Sequence, residues 1–155
     1  LDRFYEPHHA ALTAAVSAAL EAHGSCLVMD GHSFPSKPLP YEDDQRPERP
    51  EICIGTDPHH TPGWLRDAAV AAFERAGFRT EVDRPFAGAL VPMAFYRRDV
   101  RVSALMIEVN RGLYMNELTG DRIVEFVELR RRLTGVIETI IDQSRSLSVE
   151  AAPID

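Results

Sequence analysis

Two apolar runs limit what this chain can fold into. Ser25 to Asp30, built on Cys26-Leu27-Val28-Met29, is too short for a helix and is bounded by Gly24 and Gly31. Val102 to Val109 is strongly apolar until Glu108 and reads as a central strand. Segments of helical periodicity stand among these runs, and that alternation predicts an α/β sheet covered on both faces. The first run closes on Asp30-Gly31-His32-Ser33, and the second ends in Glu108. In open α/β sheets ligands bind outside the carboxyl ends of the strands, so a histidine and a carboxylate at two such ends can share one crevice. A metal-dependent hydrolase needs that equipment.

The remaining elements follow from periodicity and punctuation. Glu6 to His23 carries Leu12, Val16 and Leu20 at four-residue spacing, with Pro7 near its start and Gly24 after its end, which predicts a helix. Ser33 to Pro50 contains Pro35, Pro38, Pro40, Pro47 and Pro50 and is expected to be a long loop. Its place directly after His32 suits a lid, and a mobile surface insertion is the competing reading. Glu51 to Gly55 reads as a second strand. Thr61 is expected to cap a helix with Pro62 at its first position, an apolar stripe of Leu65, Ala69, Ala72, Phe73 and Ala76, and a stop at Gly77.

Phe78 to Val82 alternates as a half-buried or edge strand would, and Met93 to Tyr96 reads as a short strand. Thr119 or Asp121 is expected to cap a last helix with Ile123, Phe126, Val127, Leu133, Ile137, Ile140 and Ile141 on its core face, followed by a frayed tail after Ser144. No repeat or linker divides the chain, so residues 1–155 read as one α/β domain.

Composition excludes several classes. A formal net charge of −7 lacks the basic face that nonspecific nucleic-acid binding needs. No apolar stretch approaches the ~20 residues of a membrane span, and no charged segment followed by an apolar one marks a secretory signal. Cys26 and Cys53 both lie in strand-like runs and read as buried free thiols of a reducing cytoplasm. There is no Gly-x-Ser-x-Gly elbow, phosphate-binding glycine loop, His-Glu-x-x-His or Cys-x-x-Cys.

Among the chemistry-bearing residues, His32 is either a metal ligand or base or a structural histidine at a strand end. By period two Asp30 lies on the same side and can orient the ring. Glu108 interrupts an apolar strand; it is either a proton-transfer group with a raised pKa or one half of an ion pair with Arg111. Arg111 and Arg84 are candidate clamps for a substrate carboxylate, with Arg46 and Arg49 competing, and each has a surface-charge alternative. Of His59 and His60, adjacent in a loop, at most one is expected to face the crevice.

Taken in order, Tyr5-Glu6-Pro7-His8-His9, Met29-Asp30-Gly31-His32-Ser33-Phe34-Pro35, Pro50-Glu51-Ile52-Cys53-Ile54-Gly55-Thr56, Arg84-Pro85-Phe86-Ala87-Gly88 and Met106-Ile107-Glu108-Val109-Asn110-Arg111-Gly112-Leu113-Tyr114 resemble the N-formylglutamate amidohydrolase family. The resemblance implies a three-layer α/β/α fold with a mixed, mostly parallel sheet, phosphorylase/hydrolase-like and related to zinc carboxypeptidases. It implies zinc-dependent hydrolysis of an N-formyl or N-acyl acidic amino acid, N-formyl-L-glutamate to formate and L-glutamate, in histidine breakdown. It also implies roles: His32 as zinc ligand, Glu108 as the carboxylate that activates water, and Arg111 as a contact for a small anionic acyl-amino-acid substrate, with Arg84 remaining a second candidate for that contact. A homo-oligomer is compatible with it.

Family members are longer, and their upstream region carries a further histidine and an acidic residue for the metal. The chain opens at Leu1 in helical sequence, so it is expected to be the carboxyl-terminal portion of such a domain, with the other Zn2+ ligands upstream. Asp83 stands where the family pattern has an asparagine. Two other classes compete: a non-catalytic small-molecule binding or assembly domain that has lost its metal, and a carboxypeptidase-like enzyme acting on cell-wall peptides.

Overall fold

The computed structural model describes residues 3–150, without the side chains of 147–150. In chain order the elements are helix α1 (Tyr5–His23), strands β1 (Cys26–Phe34) and β2 (Ile52–Gly55), helix α2 (Gly63–Arg75), strands β3 (Thr80–Val82) and β4 (Val102–Asn110), a 3-10 turn at Arg111–Leu113, and helix α3 (Phe126–Glu150). The sheet runs β1-β4-β2-β3. β1 pairs parallel with β4 and β2 parallel with β3, while β2 and β4 are antiparallel, so the sheet is mixed and mostly parallel.

Strand alternation sends successive side chains to opposite faces, and each face has its own cover. On one face Leu27 and Met29 of β1, Leu105 and Ile107 of β4, and Ile52 and Ile54 of β2 pack with Leu65, Ala69 and Phe73 of α2 and Leu129, Val136 and Ile140 of α3. On the other, Val28, Val102 and Ala104 lie under Val16 and Leu20 of α1, with Val91 closing the side. The result is three layers, helix on sheet on helix pair, as expected from the sequence. Gly24, at φ 74°, ends α1 in a left-handed conformation that a side chain would resist.

Several elements differ from the sequence reading. β1 does not stop at Asp30: Gly31, His32, Ser33 and Phe34 continue the ladder opposite Ile107, Glu108, Val109 and Asn110. Apolar character ends there, but backbone pairing does not. Thr61 does not cap α2. Its hydroxyl donates to Ala104 O at 2.7 Å and accepts from Asp57 N at 2.8 Å, and Pro62 takes the N-cap place.

Met93–Tyr96 is a turn, with the Phe95 and Tyr96 amides both returning to Pro92 O. Thr119 and Asp121 belong to a reversal closed by the antiparallel bridge Met115–Arg122, where the Thr119 hydroxyl accepts from Asp121 N. α3 starts at Phe126, and Val127, expected in its core face, is 66% exposed. The helix runs on past Ser144, where fraying was expected to begin, to Glu150; residues 151–155, like Leu1 and Asp2, lie outside the described residues.

Candidate active site at the carboxyl ends of β1 and β4

The face that α1 covers changes character partway along. Past Val28 and Ala104, period two brings Asp30 and His32 from β1 and Met106, Glu108 and Asn110 from β4 to the same side. His32 and Glu108 are direct register partners in the parallel ladder, with Cys53 of β2 opposite Glu108 on its other flank. The sheet itself therefore brings together the two residues that sequence analysis put first.

Their environments differ. Glu108 is 8% exposed, its Oε2 is buried, and among the described residues neither carboxylate oxygen accepts a hydrogen bond. Burial lifts its carboxyl above the ordinary value of 4.5; the charges of His32 and Arg111 oppose this, and those of Asp30 and Glu42 add to it. The ion pair with Arg111 that would have made it structural is not formed among the described residues. His32 is more open, and its Nε2 donates to Asp30 Oδ2 at 2.7 Å. That bond raises the imidazole above 6.5 against the opposing effect of its partial burial, helped by the charges of Asp30 and Glu108.

Arg111 begins the 3-10 turn that follows β4. Asn110 shapes this turn: its Oδ1 accepts from Gly112 N at 3.0 Å while its Nδ2 donates to Pro50 O at 3.0 Å. A Cβ at Gly112 would sit 3.2 Å from Ser36 Cβ, so the turn packs closely on the start of the proline-rich loop. The Arg111 guanidinium donates to Ser33 Oγ at 3.2 Å and Ser33 O at 3.1 Å. No carboxylate pairs with it among the described residues, so its charge is free to receive an anion.

Arg84 is placed differently. It donates to Asp44 Oδ2 at 2.8 Å, Glu81 Oε1 at 2.6 Å and Glu48 O at 2.5 Å. All three guanidinium nitrogens are engaged, and among the described residues no hydrogen bond or ion pair joins Arg84 to His32, Glu108 or Arg111. Its work here is to hold the loop. Arg46 chelates Asp44 from the exposed side, and together the arginines keep that carboxyl well below its usual range.

The proline-rich loop is pinned from within by Arg49, 5% exposed. Arg49 pairs with Glu42, donates to Pro35 O at 3.2 Å and to Asp44 O at 3.3 Å, and lies over the Phe34 ring. Sequence reasoning named Arg49 only as a competing clamp and missed Glu42, whose charge reaches Glu108. An arginine and a glutamate among five prolines are the only signal, and they look like surface charge.

The histidine pair resolves against the crevice. His60 is buried at the opposite end of β4, with Nδ1 on Val102 O at 2.7 Å and Nε2 accepting from Arg97 N at 2.8 Å. Both ring nitrogens are used, which makes it a neutral structural histidine. His59 is exposed in the same turn. Cys26 and Cys53 are free thiols. Cys53 bonds to Phe86 O at 3.1 Å, and burial pushes its thiol up to about 11, leaving it unreactive. Gly55, two residues on, admits no side chain, because a Cβ would overlap Met106 and the Gly88 carbonyl.

A family model described as N-formylglutamate amidohydrolase matches residues 1–115, a span that takes in β1, β4 and the Arg111 turn. The chain belongs to that family. Among solved structures this family member is similar to an N-formylglutamate amidohydrolase from Ralstonia eutropha JMP134, at 26% identity and TM-score 0.79, over 97% of this chain and 55% of that one. It shares its fold with a gene product of Agrobacterium tumefaciens, at 20% identity and TM-score 0.61, over 90% of this chain and 51% of that one. No curated protein matches it. The chain thus spans about half the length of the solved structures it resembles.

The donors present fit one corner of a zinc site. His32 has one nitrogen tied to a carboxylate and the other without a partner among the described residues, an arrangement compatible with metal ligation. Glu108 presents a buried oxygen without a partner. Among the described residues no three His, Cys, Asp or Glu side chains converge, whereas a catalytic zinc takes about three protein ligands. His32 would be this chain's contribution.

Proposed function

We propose that the protein hydrolyses the amide bond of an N-formyl or N-acyl acidic amino acid, with N-formyl-L-glutamate, giving formate and L-glutamate, as the leading substrate. The observation that carries this reading is the pairing of His32 and Glu108 across β1 and β4, with one carboxylate oxygen buried and unpartnered. Family membership and the likeness to the Ralstonia protein support it.

His32 would hold zinc together with ligands from outside these 155 residues. When bound, zinc polarises an amide carbonyl and makes water more acidic. Glu108 is the proton carrier: its raised pKa suits taking a proton from the attacking water and returning it to the departing amine near neutral pH. Arg111 receives a substrate carboxylate, where its planar fork makes two parallel hydrogen bonds. Placement in histidine breakdown, in the cytoplasm, belongs to the same proposal, and so does a homo-oligomeric form.

Elemental analysis of the intact protein tests the metal, and formate release from N-formyl-L-glutamate tests the reaction. Near one zinc per chain with substrate turnover is the expected result. Zinc absent from protein purified without chelator, with no formate released after zinc is supplied, would leave a binding domain as the better account.

A further inference from the structure

We infer that Asp30 is a positioning residue for His32: its carboxylate selects the ring tautomer and reserves Nδ1 as the coordinating nitrogen. The metal half of this inference rests on the function proposed above. The tautomer half rests on geometry alone.

A carboxylate can only accept, so the 2.7 Å contact between Asp30 Oδ2 and His32 Nε2 requires the proton to sit on Nε2. In the neutral ring the lone pair then resides on Nδ1, which has no partner among the described residues. Strand geometry enforces the pairing. Asp30 and His32 are two residues apart in β1, so both project from one face, and their backbones are held in the ladder opposite Met106 and Glu108. A change of rotamer cannot carry Asp30 to the other side of the sheet.

Asp30 is also the wrong residue for a core position. It stands one step beyond Val28, on the face that α1 seals with Val16 and Leu20, and among the described residues no other side chain donates to it. His32 is therefore its one polar partner among the described residues. A carboxylate in that place directs the unprotonated nitrogen and increases the electron density of the ring, which strengthens it as a ligand. His60 provides the contrast within the molecule. There Nδ1 carries the proton to Val102 O and Nε2 accepts from Arg97 N, so no lone pair is left over.

The test uses long-range proton–nitrogen correlation spectra of the histidine rings in the intact protein, at a pH above imidazole titration, with zinc affinity measured by chelator competition. Wild-type protein stripped of metal should show His32 as the Nε2–H tautomer. Asp30→Ala should give a tautomer mixture and a zinc affinity lower by about 10–100-fold. Asp30→Asn keeps an acceptor oxygen and should retain the tautomer with a smaller loss.

A wild-type ring protonated on Nδ1, or Asp30→Ala with tautomer and affinity unchanged, would overturn the inference. So would Asp30→Ala abolishing zinc binding as completely as His32→Ala, which would make Asp30 a ligand. If the intact protein never binds zinc while the Nε2–H preference holds and is lost in Asp30→Ala, the functional reading fails and the orientation survives.

Discussion

The two ends of β4 treat a histidine in opposite ways. At the amino end His60 is enclosed, and both its nitrogens are spent on the backbone of Val102 and Arg97. At the carboxyl end His32 lies across from Glu108, half open, with one nitrogen held by Asp30 and the other unspent. The residue type is the same and the sheet is the same. What differs is whether the surroundings satisfy every polar atom. A satisfied group stabilises the fold, and an unsatisfied one is available for chemistry.

The sharpest way to break the comparison is Glu108→Gln. Under the role proposed for Glu108, the variant should lower turnover by about 10²–10⁴-fold with the fold and zinc content retained. Full activity in the variant, measured as formate release, would refute its role. The same variant tests the cost of the buried carboxyl. Because the folded pKa is raised above 4.5, the native state binds that proton more tightly than the unfolded chain does. The associated stability is present below pH 4.5 and is lost as pH rises through the folded value. Glu108→Gln should therefore melt higher than wild type at neutral pH, with the advantage vanishing in acid.

Next in size, Arg49→Ala strands the Glu42 carboxylate inside the loop and should cost about 3–5 kcal/mol in denaturant unfolding. His60→Ala leaves a buried carbonyl and a buried amide without partners, for about 2–4 kcal/mol, and should not alter zinc affinity. His32→Ala should do the reverse, removing zinc while barely moving the unfolding midpoint. If the two alanine variants behaved alike, the contrast between the ends of β4 would be false. Smallest, Arg111→Lys should raise KM about tenfold with little change in kcat, as expected for loss of one arm of a bidentate contact.

The sequence made the layers legible because the strands are strongly apolar and the helices are punctuated by Gly24, Pro62 and Gly77. It lost the strand ends, because pairing outlasts hydrophobicity there. Asp30, Gly31 and His32 look like a turn by composition, yet they sit in a ladder whose only sign is Glu108 on a strand far along the chain. Thr119 and Asp121 have the chemistry of helix caps and were used in a reversal instead, a choice that depends on Arg122 meeting Met115. His32 and Glu108 were readable because each breaks an apolar run. Arg84 and Arg111 were not separable, since what distinguishes them is the company they keep: two carboxylates for the first and a serine for the second.

The in-register pairing of His32 with Glu108 has a consequence for tolerance. Adjacent strands lie ~4.8 Å apart because the backbone hydrogen bond has one preferred length. The interval between the His32 imidazole and the Glu108 carboxylate is thus ruled by main-chain pitch, independent of which side chains fill the core beneath. The Arg111 guanidinium, on the turn beyond the ladder, has no such gauge. Drift in the packing around it can shift where an anion is received, while the interval between His32 and Glu108 stays at the same mark.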